Sequence, residues 1–465
     1  MPLSPIPGLL LAAPASSSGK TTLTLALLRH LRNAGRIVAA VKAGPDYIDP
    51  AFHAAAGGAT CLNLDTWAMR PQTLAALVGM VAPNTELILG EGVMGLFDGA
   101  ADGQGSTAAL ALATGWPVVL VVDVRGQAVS AAATVHGFNS FHPGLRLAGV
   151  IFNRVGSDKH ARLLRAACVP LGVPVLGAVR RHAELSLPDR HLGLVQAAEH
   201  PDLDVFLNRA AELVVADLDL PALLAVARPA TLAMDVARPA TLAIDVASCG
   251  LPPLGQRIAV AQDVAFAFVY PWLLASWRAA GAEVLPFSPL ADQAPDPTAD
   301  AVYLPGGYPE LHAGRLAAAT TFLNGVRAAA IRGASVFGEC GGYMVLGQGV
   351  VDAAGNRHAM AGLLAVETSF ARRKLHLGYR SVVLAGATPF APAGTKFRGH
   401  EFHFASIIAN LAAEPLFWCR DAEGAELVPA GERRGSVCAS FIHLIDRYDA
   451  GETPSLCPSS LVCHR

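Results

Sequence analysis

The 465-residue chain has little charge of either sign and no long apolar run. Charged residues make up 15%, and Lys+Arg 35 against Asp+Glu 37 leaves a net charge of −2. That balance supplies no global basic field for nucleic acid or anionic lipid, so neither is expected as a partner. Apolar residues reach 52% and mean hydropathy +0.40, yet no uninterrupted stretch attains the ~18 residues of a membrane span. Even PVVLVVDV, residues 117–124, is cut by Asp123. Eight cysteines occur without any Cys-x-x-Cys pair, which argues against a zinc ribbon or disulfide scaffold and for a reducing, cytoplasmic setting. The early apolar stretch is preceded by no cationic side chain, Lys20 being the first, so a secretory leader is not expected.

What is present is short apolar runs of buried-strand length alternating with helical patterns, the signature of a parallel sheet in an α/β protein. GLLLAA, RIVAAV, ELILG, PVVLVVD and LAGVIFN form one series between residue 8 and about 210, with a helix expected over Thr21–Arg32. A second series starts at Arg257 with RIAVA, AVYLPGG and ASVFGEC. Between them ARPATLAMDV is followed by ARPATLAIDV, residues 227–246, a tandem copy differing only at Met234 and Ile244. Two copies make no solenoid. The expected organisation is an N-terminal domain over 1–215, a linker over 216–255, a C-terminal domain over 256–450 and a tail over 451–465.

In the first series PASSSGKTT follows a strand and opens a helix, the context of a phosphate-binding loop, although Pro14 replaces its usual first glycine. Ser18, Gly19, Lys20, Thr21 and Thr22 are the expected nucleotide contacts, with Lys20 neutralising phosphate charge and the Thr21 hydroxyl a ligand for Mg²⁺. KAGPDYIDP and EGVMGLFDG each follow a strand. Open parallel sheets bind ligands beyond their strands' carboxyl ends, so Asp46 and Glu91 should join Thr21 as hard oxygen ligands for Mg²⁺. The same carboxylates could instead cap helices or close glycine turns, Asp49 and Asp98 especially. Asn153 ends another strand and could read an adenine edge or form a turn.

In the second series GECGG lies between an apolar strand and a helical pattern, a nucleophile elbow with Cys340 in the serine position. A helix N-terminus is expected to lower the thiol pKa, and the Gly341 N–H to serve an oxyanion, with Gly306 and Gly307 of PGGYPE supplying a second donor. His443 in FIHLID is the best candidate base. The rival segment His400-Glu401-Phe402-His403 would, as a strand, put Glu401 and His403 on one face.

APASSSGKTT, KAGPDYIDPAFH, EGVMGLFDG, LPDRHLGLV, LPGGYPELHA and FGECGGYMVLG together resemble the cobyrinic/hydrogenobyrinic acid a,c-diamide synthase family of corrin biosynthesis, closest to its hydrogenobyrinic branch, with the cobyrinic branch a near alternative. The resemblance implies a dethiobiotin-synthetase-like P-loop domain joined to a flavodoxin-like class I glutamine amidotransferase domain. It implies ATP as co-substrate, Mg²⁺, glutamine as nitrogen donor and a corrinoid whose carboxylates meet Lys42, Asp46, Tyr47, Asp49, Asp98 and His191, and it leaves room for a homodimer. Cys340 would attack glutamine and His443 would activate it. The position two after the histidine, usually Glu in wider class I amidotransferases, is Ile445, so a third member of the dyad is left open. Other readings are a cobyric-acid-synthase-like enzyme, a stand-alone glutaminase or peptidase, and a ParA/MinD-like switch ATPase, though the last has an extra early lysine that is missing here.

Overall fold

The computed structural model describes residues 6–81, 84–186, 189–190, 193–232, 246–409 and 414–448. Its contacts divide the chain into two compact units, the first holding residues 74–244 and most of what precedes them, the second residues 245–452 together with Ala68–Thr73.

The first unit alternates β1 (Pro7–Ala12), α1 (Lys20–Asn33), β2 (Val38–Ala43), α2 (Asp49–Gly57), β3 (Leu62–Leu64), α3 (Pro71–Val81), β4 (Leu87–Glu91), α4 (Thr107–Thr114), β5 (Val118–Asp123), α5 (Ala131–Ser140), β6 (Leu147–Val155), α6 (Asp158–Cys168) and β7 (Val175–Arg180). The strands run parallel in the order β3-β2-β4-β1-β5-β6-β7. Leu9, Leu10 and Leu11 are all 0% exposed, because a parallel strand covered by helices on both faces buries odd and even positions alike. That is why these strands read as continuous apolar runs. α1 extends the expected helix by one residue at each end and stops where Gly35 takes φ 76°. A short hairpin of β8 (Asp189–Arg190) and β9 (Gly193–Leu194), then α7 (Leu203–Val215), α8 (Leu220–Ala225) and β10 (Arg228–Pro229) complete the unit.

Both ends of the expected linker are structured. β10 pairs antiparallel with β1 at Gly8 and Pro7, and Thr231 N–H donates to Thr114 O at 2.7 Å, so the start of the duplication belongs to the first unit. Residues 246–254 lie in the second, where Trp277 Nε1 donates to Leu251 O and Ser276 Oγ to Cys249 O. The rest of the duplication, 233–245, and the expected tail lie outside the described residues.

The second unit is built on β11 (Arg257–Ala261), α9 (Pro271–Ala279), β12 (Glu283–Phe287), β13 (Ala301–Leu304), α10 (Ala313–Ala318), α11 (Thr320–Ile331), β14 (Ser335–Glu339) and α12 (Gly341–Leu346). Then follow β15 (Gly349–Val351), β16 (Arg357–Ala359), β17 (Glu367–Ser369), β18 (His376–Leu384), β19 (Lys396–His403), β20 (Ser406–Ala409), β21 (Phe417–Arg420), β22 (Glu432–Arg434), β23 (Val437–Ser440) and β24 (Ile442–Arg447). The main sheet, β12-β11-β13-β14-β23-β22, is parallel except for β22. Taken in chain order its parallel strands run 2-1-3-4-5, the flavodoxin-like arrangement. Two four-stranded sheets are added to it: β16-β15-β17-β20, mixed because β15 and β17 run parallel, and the antiparallel β21-β18-β19-β24.

The Asp446 carboxylate, at the end of β24, is 0% exposed. It accepts from Arg70 N, Nε and Nη2, from Thr73 Oγ1 at 2.6 Å and from Gly250 N. Arg70 and Thr73 come from the six-residue stretch that the second unit takes from the first half of the chain, and α3, which starts inside that stretch, continues into the first unit.

Candidate functional site

The phosphate-loop region is assembled at the carboxyl ends of β1, β2 and β4. Gly19 takes φ 92°, and a Cβ there would sit 2.2 Å from Asn153 Nδ2, so the close approach of loop and β6 requires glycine. Asn153 spends its amide on that contact, donating from Nδ2 to Ser18 O at 2.9 Å. Lys20 is nearly buried and donates to Met94 O at 2.6 Å; burial lowers its pKa, opposed by the charge of Glu91. Thr22 follows Thr21 in the first turn of α1. Beside the loop a cleft of about 590 Å³ is lined by Pro14–Ser18, Val122, Asp123, Arg125, Gln127 and Thr134, a volume suited to a small-molecule ligand. Arg154 closes one side by pairing with Asp123 and donating to Ser17 O.

Glu91 is the centre of the charged cluster. Its Oε1 accepts from Thr21 Oγ1 at 2.7 Å and Lys42 Nζ at 2.9 Å, and its Oε2 meets His53 Nε2 at 2.6 Å. Burial alone would neutralise this carboxyl, but Lys42 and His53 hold its pKa well below the usual carboxylate range. His53 answers with a pKa pushed up to about 10, burial notwithstanding, chiefly by the charge of Glu91. Lys42 also reaches Asp49 at 2.6 Å and Asp46 at 3.8 Å, and burial together with the Asp46 charge raises Asp49 to about 7. Asp46 caps the start of α2, its Oδ1 accepting from the N–H groups of Ile48 and Asp49, while Oδ2 faces Lys42. Tyr47 is half-buried in the same turn. Asp98 is exposed and closes a turn onto Gly95 N–H. His191 lies outside the described residues.

Thr21 Oγ1 and Glu91 Oε1, 2.7 Å apart, are close to the roughly 3 Å that separates neighbouring oxygens around an octahedral Mg²⁺. These hard donors fit that ion. His53 was not singled out from sequence, although Asp49 and His53 are i and i+4 on one helix and therefore share a face.

In the second unit Cys340 has φ 49° and ψ −102°, the strained turn of a nucleophile elbow. A Cβ on Gly306 would fall 2.5 Å from His443 Cε1 and 3.3 Å from Cys340 Cβ, so thiol and imidazole converge on this glycine and only hydrogen fits between them. The Gly341 and Gly307 N–H groups both point hydrogen bonds at the Cys340 sulfur, the geometry of an oxyanion pocket. The thiol pKa departs from expectation. Instead of being lowered by the six-residue α12, it is pushed up to about 12, because complete burial and the charge of Glu310 outweigh the two backbone donors. His443, 1% exposed, is driven well below its ordinary value by burial and by His400 and His403. Both partners are therefore neutral at rest.

His400 lies 4.9 Å from His443, ring to ring and edge-on. β19 is a strand as expected, and Glu401 Oε1 meets His403 Nε2 at 2.9 Å on one face. With His376 these side chains offer three ligand atoms close together, but the His376 and His403 rings stack at 4.7 Å with planes 7° apart. Near-parallel planes do not meet at one ion, and Arg380 already occupies Glu401 Oε2. Sequence reasoning also passed over Glu339, buried beside the nucleophile, whose Oε2 is 4.0 Å from His443 Nδ1.

Comparison with known proteins agrees with these two halves. A CobQ/CobB/MinD/ParA nucleotide binding domain matches residues 9–195, and a CobB/CobQ-like glutamine amidotransferase domain residues 257–450. The chain is 54% identical over 442 residues to a hydrogenobyrinate a,c-diamide synthase of Brucella abortus, covering 94% of this chain and 98% of the relative. Proteins of the same name from Rhizobium meliloti and Rhodobacter capsulatus are 54% and 55% identical, over 94% of this chain and 99% and 98% of theirs. With one nucleotide-binding and one glutamine-using domain matched along nearly its full length, the chain belongs to the hydrogenobyrinate a,c-diamide synthase family of glutamine-dependent amidoligases.

Proposed function

We propose that the protein amidates the a and c carboxylates of hydrogenobyrinic acid, using ATP to activate each carboxylate and glutamine to supply the nitrogen. The observation that carries this is identity of 54–55% to relatives of that name across both domains at once. Cys340 attacks the glutamine carboxamide, its proton passing to His443, and the N–H groups of Gly341 and Gly307 hold the oxyanion. In the P-loop unit Ser18, Gly19, Lys20, Thr21 and Thr22 receive the triphosphate, with the Asn153 amide bracing the loop through Ser18. Thr21, Glu91 and Asp46 would hold Mg²⁺, which would supply screening of the phosphate charge. Lys42 keeps Glu91, Asp49 and Asp46 together, and presents with Tyr47 and Asp98 the polar wall that meets the substrate carboxylate. The activated carboxyl then exchanges phosphate for ammonia.

The decisive experiment is mass spectrometry of corrinoids incubated with enzyme, MgATP and glutamine, with cobalt-free and cobalt-bearing acids in parallel. Conversion of two carboxylates to amides on the cobalt-free acid is the expected result. Amidation of neither acid, or of other side chains, overturns the reading.

A further inference from the structure

The dyad lacks the carboxylate that usually follows its histidine by two residues, because Ile445 stands there, buried and apolar. A carboxylate nevertheless reaches the imidazole from another direction. Glu339, the last residue of β14 and the one before Cys340, is 3% exposed, and its Oε2 lies 4.0 Å from His443 Nδ1. Two further contacts fix it: Tyr303 OH donates to Oε2 at 2.5 Å, and Leu444 N–H, next to the histidine, donates to Oε1 at 2.9 Å. We propose that Glu339, held by Tyr303 and the β24 backbone, is the positioning residue that sets the tautomer of His443 and stabilises its protonated form during attack by Cys340.

This rests on the Cys340–His443 reading and extends it. A proton on Nδ1 facing Glu339 leaves Nε2 to accept the thiol proton as Sγ bonds the carboxamide carbon. The imidazolium then returns that proton to the departing nitrogen, ammonia leaves, and water cleaves the thioester to glutamate. During the first step a positive charge develops on a ring with a buried carboxyl 4.0 Å away, in surroundings where such an interaction is strong. At rest, burial lifts Glu339 to about 7, so the carboxyl is poised to ionise when the ring becomes charged. An apo distance somewhat longer than a hydrogen bond is common for catalytic pairs, which tighten with substrate.

The test is glutamine hydrolysis by the full chain, with parental protein, C340S, E339Q and Y303F compared at one pH. E339Q should lower kcat by roughly 100-fold while the glutamine KM stays within about threefold and the thermal transition is kept. A kcat within about threefold of parental overturns the proposal, as does a fall in kcat matched by a rise in KM and loss of the transition, the pattern of a merely structural group. If E339Q does not fold, Y303F decides. It keeps the carboxylate and removes one of the two donors that hold it in place, so a fall in kcat of about tenfold with KM and thermal transition kept supports the role, and a kcat within about twofold of parental refutes it. C340S separates the two readings, for parental-level hydrolysis by that variant refutes the dyad itself.

Discussion

Glu91 and Cys340 are both buried, yet one is held ionised and the other neutral. Glu91 is 0% exposed and keeps its charge because Lys42, His53 and Thr21 all point at it. Cys340 and His443, 2% and 1% exposed, have two backbone donors, two further histidines and the Glu339 carboxyl, 4.0 Å from the imidazole, around them, and both are pushed toward their neutral forms. Burial is common to the two sites, so the partners decide the outcome. Phosphate and metal chemistry needs standing charge. A thiol that must attack only when its amide is present gains from holding its proton until then.

The contrast breaks most severely at Glu91. Glu91→Ala should abolish amide formation with glutamine and with ammonia alike, and should lower stability by about 3–5 kcal/mol, since it leaves the buried His53 without its carboxylate while Lys42 keeps Asp49; nitrogen-source assays and denaturant titration check both. Cys340→Ser should remove only the glutamine-dependent reaction, by ~10³-fold or more, and leave ammonia-supported turnover in place. Full use of glutamine by the serine variant would mean the elbow was misread.

Smaller effects sharpen the electrostatic half of the comparison. The pKa of His53 is about 10 in the folded chain against 6.5 for the free side chain. A raised pKa means the stabilisation is complete below about pH 6.5 and is lost as pH climbs through 10. Thermal midpoints should therefore fall over that window, and the fall should flatten in His53→Gln. In the other unit, iodoacetamide should label Cys340 in the resting protein more slowly than a free cysteine at pH 8, with the rate still rising at the highest pH tested. A thiol that titrates near neutrality would contradict the neutral pair. Least of all should change on deleting residues 237–246, one copy of the duplication. Closing a shorter loop alters the free energy by only ~0.6 kcal/mol per halving of length. Glutamine hydrolysed should still match amide formed, and uncoupled glutaminase would show that the repeat does more than span a distance.

The parallel strands were legible because burial on both faces turns each into an apolar run, and the elbow because glycines must surround a strained nucleophile. The antiparallel strands after residue 347 were not. β18, for example, reads HLGYRSVVL with no polar–apolar alternation, only Val382 and Leu384 being buried, and its partners β19 and β21 lie at sequence separations that no local pattern reports. At the sites, residue types in loops beside glycine were readable, whereas Glu339 and His53 sit within regular elements whose pattern is first of all structural. The thiol pKa was misjudged because a helix end is visible in sequence and complete burial is not.

The Asp446 anchor has a consequence for anyone who would divide this enzyme in two. A cut within 233–245 looks like a clean separation, yet the fragment beginning after it would carry a buried carboxylate stripped of Arg70 and Thr73, two residues encoded 376 and 373 positions before it. The halves are thus not modules to be exchanged at will between relatives. A chimera that swaps the amidotransferase half must carry residues 68–73 with it, and a split protein should recover its glutaminase half only when the fragment bearing that stretch is supplied in trans.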